Sequence, residues 1–438
     1  MEEQRETETS TSLQREKKGL LRFLLSIFSS LKHRNYRLFF CGQAISLIGT
    51  WMQMTAQGWL VYSLSRSKFV LGLVSALSTL PLALLSPVGG VVADRFSRRR
   101  ILIFTQSLSI VPPLLLSLLV LTKAVQVWHI ALLAALLGTV NAFDMPTRQS
   151  FVIEMVGRED LMNAIGLNSG LFNSARIIGP AIAGIVMAEV GIGYCFLLNG
   201  LSFIPVVIAL LFMRILTAST KHKEKSSFTT IIAGFKYVKN NPRLFGLLGL
   251  LSIMCVFGFS YSSLLPAFAR DILSVRERQY GELLTFNGIG AVTGALLVAS
   301  FANKVKNRKH FLFIGASLFS VSLTIFSLST RFPLARFPLI PAGIGMILFL
   351  STANTLIQTT SSDEFRGRVM GIWTFAFGGS MPLGSFIAGT LAHYLGITVT
   401  LQMCALICMA ATLTAALFSR NPKCSRAILP YEGRSLEE

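Results

Sequence analysis

Twelve long apolar stretches separated by short loops run the length of this chain, and they leave few folds open to it. A helix of about 20 apolar residues crosses the hydrocarbon core of a bilayer while satisfying its own backbone hydrogen bonds, which open sheet edges and irregular segments cannot do there. The stretches fall at 36–62, 69–93, 100–122, 127–149, 162–189, 193–215, 243–269, 279–302, 309–330, 333–360, 367–394 and 397–419. Charged residues make up 14% of the chain and hydrophobic ones 52%, where a soluble domain would carry about a quarter charged residues. The expected fold class is an all-α polytopic membrane protein with twelve transmembrane helices.

The formal net charge of +20 is spread through the loops between apolar segments. A nucleic-acid partner would instead call for one basic face, so topology accounts for the charge. Of the 40 Lys and Arg, 31 belong to the two tails and the even-numbered loops with the span ends beside them, 8 to the odd-numbered loops and their span ends, and the remaining one, Arg176, lies deep inside span 5. The positive-inside rule then places both termini in the cytoplasm and the chain in the cytoplasmic (inner) membrane. No cleavable signal peptide opens the chain: Met1–Gly19 is polar, and Leu20–Leu31 reads as an interfacial helix too short to span. The six cysteines form no CxxC pair and mostly lie in apolar runs, so they read as packing thiols and no metal is expected. There is no GxxxxGK[ST] phosphate loop, HExxH pair or nucleophile elbow. Neither an enzyme nor a cofactor is therefore expected.

The spans divide six and six about a basic segment containing Lys221, Lys223 and Lys225. This gives a tail and interfacial helix at 1–35, bundles at 36–215 and 243–420, a linker at 216–242 and a second tail at 421–438. Span 5 and span 11 resemble one another. Gly166, Gly179 and Gly184 recur as Gly371, Gly384 and Gly389 at a constant offset of 205, and both segments end in Ile-Ala-Gly. Equal spacing in spans of equal orientation predicts two pseudo-symmetric halves related by an axis along the membrane normal.

Between spans 2 and 3 the chain reads Gly89-Gly90-Val91-Val92-Ala93-Asp94-Arg95-Phe96-Ser97-Arg98-Arg99-Arg100. This resembles the cytoplasmic-loop signature of the major facilitator superfamily, with Gly90, Asp94, Arg95, Arg98 and Arg99 on the motif and Ser97 in place of its second glycine. The resemblance implies that Asp94 caps a helix and joins a charge cluster holding the halves in the outward-open state. Ala175-Arg176-Ile177-Ile178-Gly179-Pro180-Ala181-Ile182-Ala183-Gly184 resembles the Gly-Pro motif of the antiporters, with Gly179, Pro180 and Gly184 in register. That likeness implies export. Asn35-Tyr36-Arg37-Leu38-Phe39, Pro146-Thr147-Arg148-Gln149 and Arg366-Gly367-Arg368-Val369-Met370-Gly371 resemble the bacterial branch with the enterobactin exporter and the macrolide efflux proteins.

Polar groups inside spans mark either a pathway or interhelical bonds. Arg176 lies about 20 Å into span 5 at 1.5 Å per residue, too deep to snorkel. It would meet an anionic substrate group or a coupling carboxylate, or else pair with Asp144 or a helix carbonyl. Asp144 would titrate during transport or pair with Arg148 one turn on. Gln53 and Gln57 share a face of span 1, and Asn168, Asn173, Asn354 and Gln358 add amides that would line a cavity for a bulky amphipathic solute. The expected protein is a monomeric secondary transporter that exports a small molecule, drug or siderophore in type, by proton-coupled antiport. Uptake or lysophospholipid flipping on the same fold, or a non-transporting scaffold or sensor, are the alternatives.

Overall fold

The computed structural model describes residues 28–213, 228–301 and 308–420. Most of the interfacial segment Leu20–Leu31, the linker residues Lys221, Lys223 and Lys225 and the 421–438 tail lie outside these residues. Twelve membrane-length helical elements follow in order: α1 Arg34–Ser65, α2 Lys68–Arg95, α3 Arg98–Leu121, α4 Val127–Val156, α5 Leu161–Glu189 and α6 Ile192–Phe212 in the first half. The second half holds α7 Pro242–Asp271, α8 Glu277–Phe301, α9 Arg308–Leu328, α10 Phe332–Thr360, α11 Asp363–Leu395 and α12 Ile397–Arg420. We call the end where α1 begins and α12 finishes the basic face, and the other end the distal face.

Eleven of these helices are apolar enough to cross a membrane on composition alone. The exception is α1, 32 residues long and rich in amides and hydroxyls. Its polar residues point inward: Gln43, Ser46, Gln53 and Thr55 are all buried. A span can carry such groups when neighbouring helices, not lipid, meet them. In α7 the chain makes a π-helical turn at Met254–Gly258 before returning to α-helix. Such a turn re-aims the side chains that follow it.

The internal repeat has a counterpart in three dimensions. A Cβ built on Gly72 of α2 would lie 2.8 Å from Cα of Gly389 in α11, and one on Gly281 of α8 would lie 2.8 Å from Cα of Gly184 in α5. These are the same contact under exchange of halves. Likewise a Cβ built on Gly179 would lie 2.5 Å from Cβ of Trp51 in α1, and one on Gly384 would lie 3.0 Å from Cα of Val256 in α7. The third pair, Gly166 and Gly371, has nothing within 4 Å on either side. Small residues let helix backbones approach closely where lipid offers no hydrophobic drive.

The linker contains a helix that the span count did not anticipate, Phe228–Asn240. It docks on the start of α11: the Tyr237 ring stacks on Phe365 at 4.4 Å, and the Ser362 backbone N–H donates to the Tyr237 hydroxyl at 3.2 Å.

At the other border of the first half, the described end of the interfacial segment is a short 3-10 turn, Ser29–Lys32, clamped to the α4–α5 loop. Lys32 and His33 reach Asp160 at 2.8 and 2.7 Å, and Ser29 donates to it at 3.0 Å. Hydrogen bonds from Lys32 and then His33 hold the Asp160 carboxyl well below the usual carboxylate range. Because its folded-state pKa is depressed, the carboxylate contributes its full stabilisation above the ordinary aspartate value of about 4, and that contribution shrinks as pH falls from there and is gone once pH passes the depressed folded-state value. Asp160→Asn at neutral pH is expected to speed tryptic cleavage after Lys32 in membranes with the basic face exposed. An unchanged digestion rate would show that the carboxylate does not hold the turn.

Candidate transport pathway

The halves meet along α2 with α11 and α5 with α8, and the close glycine contacts lie towards the distal face. Side chains complete the closure there. Trp59 Nε1 donates to Glu277 Oε1 at 3.0 Å, and its ring stacks on Tyr280 at 5.2 Å. The Tyr62 hydroxyl donates to Asp271, and Lys68 Nζ lies 3.8 Å from the same carboxylate. Arg270 donates to Ser63 Oγ at 2.7 Å with its guanidinium 5.7 Å from the Trp59 ring. Every one of these contacts joins α1 or α2 to α7 or α8. At the basic face the same helices stand apart. Gly90, Gly166, Gly170, Gly367 and Gly371 have no neighbour within 4 Å of a built Cβ, and Met162 is 78% exposed. The conformer is sealed at the distal face and open at the basic face.

Between these ends Arg176 occupies the middle of α5, where both halves touch it. Its Nη2 donates to Asn287 Oδ1 of α8 at 3.0 Å and lies 3.7 Å from Met346 Sδ of α10. The guanidinium sits 5.7 Å from the Trp51 ring of α1, which packs edge-on against Phe172 at 5.5 Å. Asn287 is itself oriented by donating to the Leu339 carbonyl at 3.3 Å. Tyr261, placed just after the π turn of α7, lies within electrostatic reach of the guanidinium. A cation over an indole face with one amide acceptor is partly stabilised, and it keeps donors for a further group.

The structure separates the other sequence-selected amides and acids from this site. Gln53 is 4% exposed and accepts from Asn199 Nδ2 of α6 at 2.6 Å, so it ties α1 to α6 instead of lining a cavity. Gln57 is partly buried with no side-chain hydrogen bond among the described residues. Asp144 is fully buried inside the first half. It accepts from Thr105 at 2.9 Å, from Gln106 at 2.7 Å and from Arg148, whose Nη1 also donates to Gln43 at 2.7 Å. It therefore takes the local pair and is no partner of Arg176. Asn168 accepts from Tyr36 at 3.0 Å, and Asn173 donates to its own helix at the Ser169 carbonyl. Gln358 donates to Asn354 one turn away on α10 at 3.2 Å. Amides that suggested a lining in sequence thus chiefly bond helix to helix or turn to turn.

In the loop motif, Asp94 is the penultimate residue of α2, with 67% of its side chain exposed, 3.8 Å from Arg98, and caps no helix in this conformer. Arg98 makes its closer ion pair with Glu154 of α4, at 2.6 Å. Arg99 donates to the Leu210 and Leu211 carbonyls, both at 2.8 Å, which places a cation on the C-terminal end of α6 where the helix dipole favours it. Arg95 is exposed and Gly90 has open space around it. Pro180 turns its carbonyl towards Gly281, 2.6 Å from a Cβ built there, so the Gly179-Pro180 and Gly184 segment packs on α1 and α8. Glu154, Glu277, Asp271 and Arg270 escaped the sequence reading because charges beside loops look like solvated rims. Their placement at span ends was the one available signal.

A family model described as a transmembrane secretion effector matches residues 25–432. The chain belongs to that family of major facilitator superfamily transporters. Among curated relatives it is 25% identical to the staphyloferrin A transporter of Staphylococcus aureus over 88% of this chain and 97% of that protein. It is 24% identical to macrolide efflux protein A of Streptococcus pyogenes over 84% of this chain and 92% of the relative. A bacterial homologue of the human lysosomal transporter Spinster, solved inward-facing and unoccupied, shares the fold at a TM-score of 0.72 and 14% identity, covering 92% and 99% of the two chains. The transporter is a multi-pass membrane protein that carries small molecules across a bilayer.

Proposed function

We propose that this transporter exports a small amphipathic molecule, drug or siderophore in type, by alternating access coupled to proton entry. The observation that carries the reading is Arg176, a mid-membrane cation touched by α1, α8 and α10 in a space closed distally and open at the basic face. With the basic face cytoplasmic, as the positive-inside bias implies, this is the conformer in which an exporter loads cargo. The antiporter-like segment around Gly179 and Pro180 and the likeness to macrolide efflux protein A support the outward direction. A single chain holds both halves of the pathway, so the unit of transport is a monomer. The Asp271 and Glu277 carboxylates accept the hydrogen bonds that seal the distal face. Asp94 and its arginines hold the alternate state.

Export from loaded vesicles tests this. Arg176→Ala is expected to cut export about tenfold or more, the worth of one charge-assisted hydrogen bond. Asp94→Asn is expected to slow it by shortening the outward-open state. Normal export in both variants, or net uptake under a proton gradient, would refute the assignment.

A further inference from the structure

We propose that Arg176 recognises a carboxylate or like anionic group on the cargo, so that this pathway selects amphipathic anions over neutral or cationic molecules of the same shape. This inference rests on the reading that the space around Arg176 is the transport site.

No acidic side chain answers this guanidinium. Every ion pair among the described residues lies elsewhere, and the carboxylate that sequence could have assigned to it, Asp144, is committed to Arg148, Thr105 and Gln106 inside the first half. Arg176 has five N–H donors and gives one hydrogen bond to a neutral amide, Asn287, and one weak contact to a thioether. Its remaining donors have no partner among the described residues, and they are absent from the sealed, unsatisfied polar atoms there, so they face open space. The Tyr261 hydroxyl is in the same condition: the residue is 4% exposed, makes no hydrogen bond among the described residues and is not sealed off. Arg176 and Tyr261 therefore offer free donors into the cavity from the two opposite halves.

A lone cation at this depth is costly and persists where something stabilises it. The indole of Trp51 supplies part of that, and a bound anion supplies the rest through charge-assisted, fork-like hydrogen bonds. The Trp51 and Phe172 rings, 5.5 Å apart and beside the guanidinium, give an apolar body a surface to lie on. Phe172 is 46% exposed, which leaves that surface open. The pairing of a fixed cation with an aromatic shelf defines the ligand: a negative head on a flat or bulky apolar body. Because the donors come from both halves, the anion bridges them.

The test compares three probes with one apolar body: 1-naphthylacetate, 1-naphthylacetamide and 1-naphthylethylammonium. Lysophosphatidylglycerol serves as a lipid source of the same charge. Binding is measured on purified full-length protein in nanodiscs of neutral lipid, by tryptophan quenching and thermal shift. Wild type is expected to bind the naphthylacetate anion about tenfold or more tighter than the amide, with the ammonium weakest. Arg176→Gln is expected to abolish that preference and Arg176→Lys to restore part of it. Asn287→Asp places a competing carboxylate on the guanidinium, and is expected to weaken anion binding while sparing the amide. This variant also decides the matter if Arg176→Gln does not fold. Equal affinity of wild type for anion and amide overturns the proposal, as does a preference untouched by both Arg176→Gln and Asn287→Asp. Binding of lysophosphatidylglycerol alone, dependent on Arg176, overturns the soluble-cargo assignment in favour of a lipid headgroup. The assay is blind to direction, so net uptake in vesicles would sink the export reading and leave anion recognition standing.

Discussion

Gly72→Val and Gly281→Val are each expected to stop the distal face from closing, and together to trap the transporter open there. A Cβ at position 72 meets the Ser385 carbonyl and the Cα of Gly389. One at position 281 meets the Pro180 carbonyl at 2.6 Å and Cα of Gly184 at 2.8 Å. These are backbone atoms on facing helices and cannot rotate away as a long side chain can. Overpacking of this kind costs about 1–3 kcal/mol, enough to move a two-state balance roughly 5- to 150-fold at each site. The cost falls on one conformer only, because the same helices part at this end when the distal face opens. Spin-label distances across the distal ends of α2 and α11 should lengthen in the variants, and transport should fall accordingly. Gly246→Val, at a position with nothing within 4 Å, is the control and should leave both unchanged. Wild-type distances together with wild-type transport in the double variant would mean that these glycines do not set the closure.

That expectation grew from a pattern visible in the sequence, the offset of 205 between span 5 and span 11. Hydrocarbon thickness fixes helix length, so apolar run lengths predicted most spans to within a few residues, although α4 continues past the expected end at 149 to Val156, and the repeat marked Gly179 with Gly384 and Gly184 with Gly389 as equivalent positions. What sequence could not supply was the partner of each polar group. Trp59 and Glu277 stand 218 residues apart, Tyr62 and Asp271 209, and Arg176 and Asn287 111. Such pairings depend on how rigid halves meet, which no local period encodes. Gln53 and Gln57 illustrate the limit. Their spacing placed them on one face of α1, but Gln53 turns to Asn199 in its own half, so the shared face is not simply a cavity wall. The linker helix and the π turn of α7 were hidden for a related reason: both are decided by what they pack against, Phe365 and Gly384 respectively.

The first-half network around Asp144 separates a structural from a coupling role for its carboxylate. Asp144→Ala is expected to destabilise the protein by about 3–5 kcal/mol, because it strands the Arg148 charge among Gln43, Gln106 and apolar neighbours with its counter-ion gone. The double variant Asp144→Leu with Arg148→Met removes both charges, and is expected to recover most of that loss, since a well-packed apolar pair replaces a buried ion pair at little cost. Thermal unfolding of purified protein in detergent measures both. The network joins α1, α3 and α4, all within one half, and touches neither the distal seal nor Arg176. If it only holds that half together, the double variant should transport with wild-type dependence on the proton gradient. If Asp144 instead carries the coupling proton, the refolded double variant will still exchange cargo down its own gradient but will no longer accumulate it against one. Accumulation therefore decides between two roles that folding stability alone leaves joined.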